Sequence, residues 1–384
     1  MSIEGEITVT LHWDGQRVHH VGLASTRPLA AARVLLGRAP AEAAALVPRL
    51  YALCGQAQGA ACAAALRAAA GHDGEAEGLP EVNAGAVVLE ALQETLWRLL
   101  IDAPRSLSLP PQAAALAPVR AAVAQAIAAL NAPHAESQAA LAAAAGTLGE
   151  IAQEQVYGEA PATWLARAEP AAFDAWRDTA ATLPARALAR LAATTPGLGR
   201  SDTALMPGLD DAAWWSAVVP ALLQDPLFAQ APTWDGRPVE TGALARRQAQ
   251  PLVAALIARE GHSAATRFAA RLVELATLLV DLESSQGSAP GWVRAWTLSD
   301  GTGLAAVQTA RGLLMHHSRL AHGRIADYRV VAPTEWNFHP QGALFRGIVG
   351  TEAPDEATLR SRTALAVHAL DPCVGFRIEV VPHA

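Results

Sequence analysis

Cysteine is scarce in this chain: 384 residues carry three, at Cys54, Cys62 and Cys373. An odd and widely spaced set builds no disulfide framework, and a reducing cytoplasm is the simplest compartment for it. The first residues lack the positive segment, apolar segment and twin arginine of an export signal, which points to the same compartment. Basic runs are missing as well. With 29 Lys and Arg against 36 Asp and Glu the net charge is -7, and no aromatic-basic interleaving follows a phosphate backbone, so no nucleic acid partner is expected. Long apolar runs are absent: the stretch from Ala113 to Leu130 is broken by Pro118, Arg120 and Gln125, and no direct membrane insertion is expected. The chain also lacks G-x-G-x-x-G, a Walker loop with its lysine, C-x-x-C and G-x-S-x-G, so it has no visible nucleotide, iron-sulfur or acyl-transfer site of its own.

What is present is enough apolar material for a sizeable core, 52% of the residues. Residues Ile3 to Trp13 alternate, with Ile7, Val9, Leu11 and Trp13 on one side, as a half-buried strand requires. Asp14-Gly15 then makes a hairpin turn to a second strand through Val18 to Leu23. From Leu29 to about Pro290 alanine- and leucine-rich helical segments follow, separated by Gly and Pro breakers, with Trp97, Trp164, Trp176, Trp214 and Trp215 as expected core anchors. After Gly291 the texture changes. Strands are expected at Trp292 to Leu298, Ile325 to Val331, Leu344 to Val349 and Phe376 to Val381, with one helix from Leu304 to about His316. The expected fold class is α+β in a single domain over 1–384: a hairpin (1–28), a helical body (29–290) and a mixed β-rich tail (291–384).

Cys54 and Cys373 stand in distinctive surroundings, Arg49-Leu50-Tyr51-Ala52-Leu53-Cys54 and Asp371-Pro372-Cys373-Val374-Gly375-Phe376. Three further stretches are collinear with them: Ile3-Glu4-Gly5, Val307-Gln308-Thr309-Ala310-Arg311-Gly312 with His316, and Val331-Ala332-Pro333-Thr334-Glu335-Trp336-Asn337. These resemble, in order, the R-x-C-G-x-C, D-P-C-x-x-C, I/V-E-G, V-E-x-P-R-G and P-T-T-W-N motifs of the large subunit of nickel-iron hydrogenases. They cover the first 60 or so residues and roughly the last 90; the helical middle is alike in texture only. The chain thus resembles a large subunit from which one cysteine of each pair is missing, Tyr51 and Phe376 taking those places.

The resemblance implies a large-subunit-like fold and a changed site. Cys54 corresponds to a cysteine that bridges nickel and iron, Cys373 to a terminal nickel ligand. A phenol or phenyl ring does not replace a thiolate toward nickel, so no four-sulfur nickel site is expected. The iron fragment, which brings its own carbonyl and cyanides, needs only one or two thiolates and donors to the cyanides. Arg311 matches the arginine beside one cyanide; Thr334, after Pro333, matches the hydroxyl that bonds the other. This pattern resembles hydrogenase maturation proteins of the HupK/HoxV type. It implies a scaffold, not an enzyme, that takes the Fe(CN)2CO fragment from hydrogenase maturation proteins without nickel and hands it to a hydrogenase large-subunit precursor. Glu379 replaces the family's histidine near the last cysteine position and Ala384 follows shortly after, so no nickel-triggered cleavage is implied.

Other readings of these residues stay open at this stage. Arg311 also fits a helix-surface or salt-bridge arginine, and Thr334 a turn or strand-edge residue. Cys62 reads as a small core residue. His316, His317 and His322 read as a solvated helix end, Asp371 as a residue that holds the Cys373 turn through local backbone bonds, and Glu4 as a strand-edge carboxylate. Two other functions compete: a cofactor-free chaperone that copies the large-subunit surface, and a redox enzyme with an iron-only centre.

Overall fold

A computed structural model of the chain describes residues 5–26, 29–51, 54–71, 78–209, 213–284 and 291–382. Strands β1 (Glu6–Trp13) and β2 (Val18–Ser25) form the antiparallel hairpin expected from alternation, with Ile7, Val9 and Leu11 buried. Asp14 closes its turn by accepting from the backbone N–H groups of Gln16 and Arg17 at 2.8 and 2.7 Å. Ile3 and Glu4 lie outside the described residues.

The body is helical because alanine and leucine dominate it. Helix α1 (Pro40–Leu50) precedes the two helices that build the site, α2 (Gly55–Ala70) and α3 (Ala84–Trp97), the last capped by the Asn83 side chain, which accepts from Ala86 N at 3.3 Å. A buried helix, Ala264–Ser284, runs through the core. Tyr157, Trp164, Phe173 and Trp176 pack edge-on and tilted beside it, and Tyr157 and Trp176 each spend their polar atom on a backbone carbonyl. Trp97 is half-buried under Arg120; the side chains of Trp214 and Trp215 lie outside the described residues. Two short strands, β3 (Ala204–Leu205) and β4 (Val239–Glu240), pair in parallel.

The last third departs from the sequence reading in two places. Strands β5 (Val293–Ser299), β6 (Thr302–Thr309), β7 (Gly312–Ala321) and β8 (Arg324–Val331) form one antiparallel meander. The expected helix from Leu304 to His316 is instead a tight hairpin: Thr309 pairs with Gly312, leaving Ala310 and Arg311 at its tip. Every residue of β6 is buried, so both faces carry apolar side chains and alternation, the mark of a strand, is lost. Conversely, Leu344 to Val349 is not a strand; a short helix, Ala343–Ile348, occupies it.

The meander lies directly on α2. A Cβ at Gly303 would stand 2.1 Å from the Ala65 carbonyl oxygen and 2.4 Å from Ala69 N, so only glycine lets this strand approach the helix backbone. The Thr297 and Ser318 hydroxyls donate to the Ala68 and Ala65 carbonyls at 2.7 and 3.0 Å. After two helices, Ala343–Ile348 and Glu356–Leu370, the chain returns as strand β9 (Gly375–Pro382), which runs parallel to β1 from Glu6↔Gly375 to Trp13↔Pro382. This pairing of the two chain ends places the Cys373 segment in the same body as the N-terminal elements. Among the described residues no helix is long and apolar enough to cross a membrane.

Candidate functional site

Cys54 is the residue before α2, at its N-terminal end, and is half-buried. The first backbone N–H groups of that helix need acceptors. Glu90 of α3 supplies them, taking Gln56 N at 2.8 Å and Ala57 N at 3.1 Å on its two oxygens. One turn on, Gln58 donates from Nε2 to the Cys54 sulfur at 3.8 Å. Burial pushes the Cys54 thiol up to about 12, the neighbouring Cys373 adds to the rise, and the Arg311 guanidinium opposes it. These three side chains form one electrostatic cluster.

Cys373 sits between the end of the Glu356–Leu370 helix and β9. Thr334 holds it twice: its hydroxyl lies 3.0 Å from the Cys373 sulfur and accepts from Cys373 N at 3.3 Å. Pro333 makes this possible. It starts the short helix Pro333–Asn337 at its first position, where a missing N–H costs nothing, and places Thr334 in the buried first turn, not at a strand edge.

Arg311 reaches the site from the β6–β7 tip and is 5% exposed. The tip can turn there because Gly312 adopts φ +134°, and Thr241 packs so close that a Cβ on Gly312 would meet its Cγ2 at 2.4 Å. Arg311 Nη2 donates to Glu94 Oε2 at 2.6 Å, and its Nε lies 3.9 Å from Asp371 Oδ1. Burial works against its charge, but Asp371 and Glu94 outweigh burial and keep it firmly protonated. Asp371 also pairs with Arg98 Nε at 2.6 Å, while Arg98 Nη2 donates to the Pro372 carbonyl at 3.0 Å. Burial raises Asp371, yet Arg98, Arg271 and Arg311 hold it below the usual carboxylate range. Arg98, Arg311 and Cys373 line a cleft of about 470 Å³ together with Trp97, Arg120 and Phe376.

The geometry therefore brings Cys54, Cys373, Arg311, Thr334 and Pro333 into one region. It assigns other residues differently from the sequence reading. Arg311 is no helix-surface arginine. Asp371 caps the preceding helix by its N–H, but its carboxylate serves buried arginines and not the local backbone. His316 and His317 are buried in β7, not solvated at a helix end, whereas His322 is exposed in the β7–β8 turn. Among the described residues no three His, Cys, Asp or Glu side chains converge as a metal-ion ligand set.

Sequence reasoning missed Gln58, Glu90, Glu94 and Arg98. A signal was available: Glu90, Glu94, Arg98 and Asp102 recur every four residues and so share one face of α3 and its continuation. A second signal is the complete absence of lysine. All 29 basic side chains are arginine, the residue whose planar fork suits buried carboxylate pairs.

The nickel-dependent hydrogenase family model matches residues 226–376. The hydrogenase expression/formation protein HoxV of Cupriavidus necator is 33% identical over 374 residues, covering 93% of this chain and 92% of its own. HupK of Rhizobium leguminosarum bv. viciae is 32% identical, with 94% and 92% covered. Among solved structures, the Ni-Fe-Se hydrogenase from D. vulgaris Hildenborough superposes with a TM-score of 0.58 at 16% identity over 94% of each chain, a likeness of fold. Near-complete coverage by the HoxV and HupK proteins, on the fold of a hydrogenase large subunit, places this chain in the family of hydrogenase expression/formation proteins.

Proposed function

We propose that the chain is a non-catalytic maturation scaffold that receives Fe(CN)2CO, without nickel, from hydrogenase maturation proteins and passes it to a hydrogenase large-subunit precursor in the cytoplasm. Cys54 is the principal thiolate to iron and Cys373 a second or transfer thiolate. Arg311 and Thr334 orient the cyanides, and Pro333 sets Thr334 in place. The cargo brings three of its own ligands, so two sulfurs with polar donors around them suffice where a bare metal ion would need more.

The observation that carries this reading is the gathering of two half-buried thiols, Cys54 and Cys373, around the buried Arg311, close enough for each sulfur to feel the guanidinium. A fixed cation beside two thiols supports an anionic cargo and the thiolates that would hold it. The Cys54 thiol is protonated at neutral pH, so metal binding there exchanges a proton for iron: the S–H bond breaks, the S–Fe bond forms and the proton leaves. Cys373 faces the open cleft, which suits a hand-over position.

Infrared spectroscopy with metal analysis tests this, on protein purified anaerobically from cells that express active maturation machinery. Carbonyl and cyanide stretches with iron and no nickel are expected, and Cys54→Ser abolishes them. Absent bands in the unaltered protein favour a cofactor-free chaperone, and full iron occupancy in Cys54→Ser removes Cys54 as a ligand.

A further inference from the structure

Behind Cys54 runs a buried chain of polar side chains that the site as described does not use. Cys54, Gln58 and Cys62 follow one another at four-residue steps, so they lie along one face at the start of α2. Across from them stand His316 of β7 and Tyr328 of β8. Gln58 Nε2 reaches the Cys54 sulfur at 3.8 Å, and Gln58 Oε1 lies 2.9 Å from His316 Nε2. His316 Nδ1 lies 2.7 Å from the Tyr328 hydroxyl. His316 is fully buried, and Gln58 and Tyr328 nearly so, so each unmade bond would be costly.

We propose that Gln58 and His316 are positioning residues that aim an N–H donor at the Cys54 sulfur through a one-directional hydrogen-bond relay. The direction follows from counting protons. Gln58 donates to sulfur with its amide nitrogen, so its oxygen must accept, and His316 must carry its proton on Nε2. A neutral imidazole has one proton, which leaves Nδ1 bare to accept from the Tyr328 hydroxyl. Burial depresses His316 to about 3, so the ring stays neutral and the order is kept. Reversed, the relay would turn the Gln58 oxygen toward the sulfur, and an iron-bound sulfur has no proton to offer it. Tyr328 is the far end of the relay.

The proposal rests, for its purpose, on Cys54 being the iron thiolate; its geometry does not. The first test therefore uses iron-free full-length protein labelled with ¹⁵N at histidine. His316 is expected as the neutral tautomer protonated at Nε2, and Tyr328→Phe, which removes the donor to Nδ1, is expected to erode that preference. A His316 protonated at Nδ1, or a cationic ring, overturns the relay. The second test uses protein carrying the iron fragment. Gln58→Leu removes both relay bonds, and Gln58→Glu keeps the acceptor for His316 but removes the donor to sulfur. Loss of the N–H bond leaves sulfur a stronger donor to iron, so both variants are expected to shift the carbonyl stretch to lower wavenumber. An unmoved band in both overturns the proposal. If no carbonyl band exists in the unaltered protein, the scaffold reading fails and the tautomer alone decides the relay.

Discussion

Asp371→Asn is the most discriminating single change, because it removes one negative charge and almost nothing else. The residue sits at φ +55°, in the left-handed region that Asn accepts as readily as Asp, so the backbone is undisturbed. Its carboxylate is 5% exposed and lies 2.6 Å from Arg98 Nε and 3.9 Å from Arg311 Nε. Removing one member of a buried ion pair costs about 3–5 kcal/mol, since the other charge stays buried without its partner. Arg98 retains Asp102 at 2.5 Å and Arg311 retains Glu94 at 2.6 Å, which places the expected loss at the lower end, about 3 kcal/mol. Equilibrium urea unfolding at pH 7 measures it. The pH dependence adds a second reading. The folded carboxyl titrates below its unfolded value of about 3.9, so its contribution is present above that pH and is lost as pH falls through the folded value. The gap between wild type and variant should therefore hold constant from pH 7 to about 5 and narrow below about 4. A variant within about 0.5 kcal/mol of wild type at pH 7, with an unchanged acid limb, would refute the claim that this carboxylate holds the arginine cluster.

Two other changes test parts of the frame that carry the cysteines. Gly303→Ala forces a methyl into the backbone of α2 and should cost about 3 kcal/mol or more by urea unfolding, while a neutral result would mean that the meander does not rest on α2 as described. Glu90 behaves opposite to Asp371: burial raises it to about 7, above an unfolded value of about 4.3, so its contribution is full below the unfolded value and is lost as pH rises through the folded one. Glu90→Gln lacks this loss and should gain about 3 kcal/mol relative to wild type between pH 4 and pH 8; a pH-independent difference would remove Glu90 as a buried, titrating cap of α2.

Local patterns in the sequence were legible where one face of an element meets water. The β1–β2 hairpin alternates and turns at Asp14-Gly15, and β8 and β9 fall within a residue of their expected limits for the same reason. The motif residues Cys54, Cys373, Arg311, Thr334 and Pro333 were legible through resemblance, not through periodicity. What failed was the segment that brings them together. Leu304 to Met315 is rich in alanine and leucine and buried on both faces, so propensity favours helix and no alternation argues back. Only Arg311-Gly312 marks the turn, and its meaning depends on Thr241, some seventy residues earlier, closing the space around Gly312.

The same dependence on distant partners explains why the supporting residues stayed hidden. Glu94 and Arg98 look like ordinary solvated charges on a helix until Arg311 and Asp371 arrive from the other end of the chain, 217 residues away in the Arg311–Glu94 pair. His316 looks like a surface histidine until the meander folds it under Gln58, 258 residues away. In each case a buried polar group must find its partner or pay several times the value of the bond in desolvation. A substitution at Glu94 or His316 should therefore disturb the cysteine region more than an equal change on the outer helices. This coupling gives the N-terminal and C-terminal motifs a physical reason to occur together in one chain.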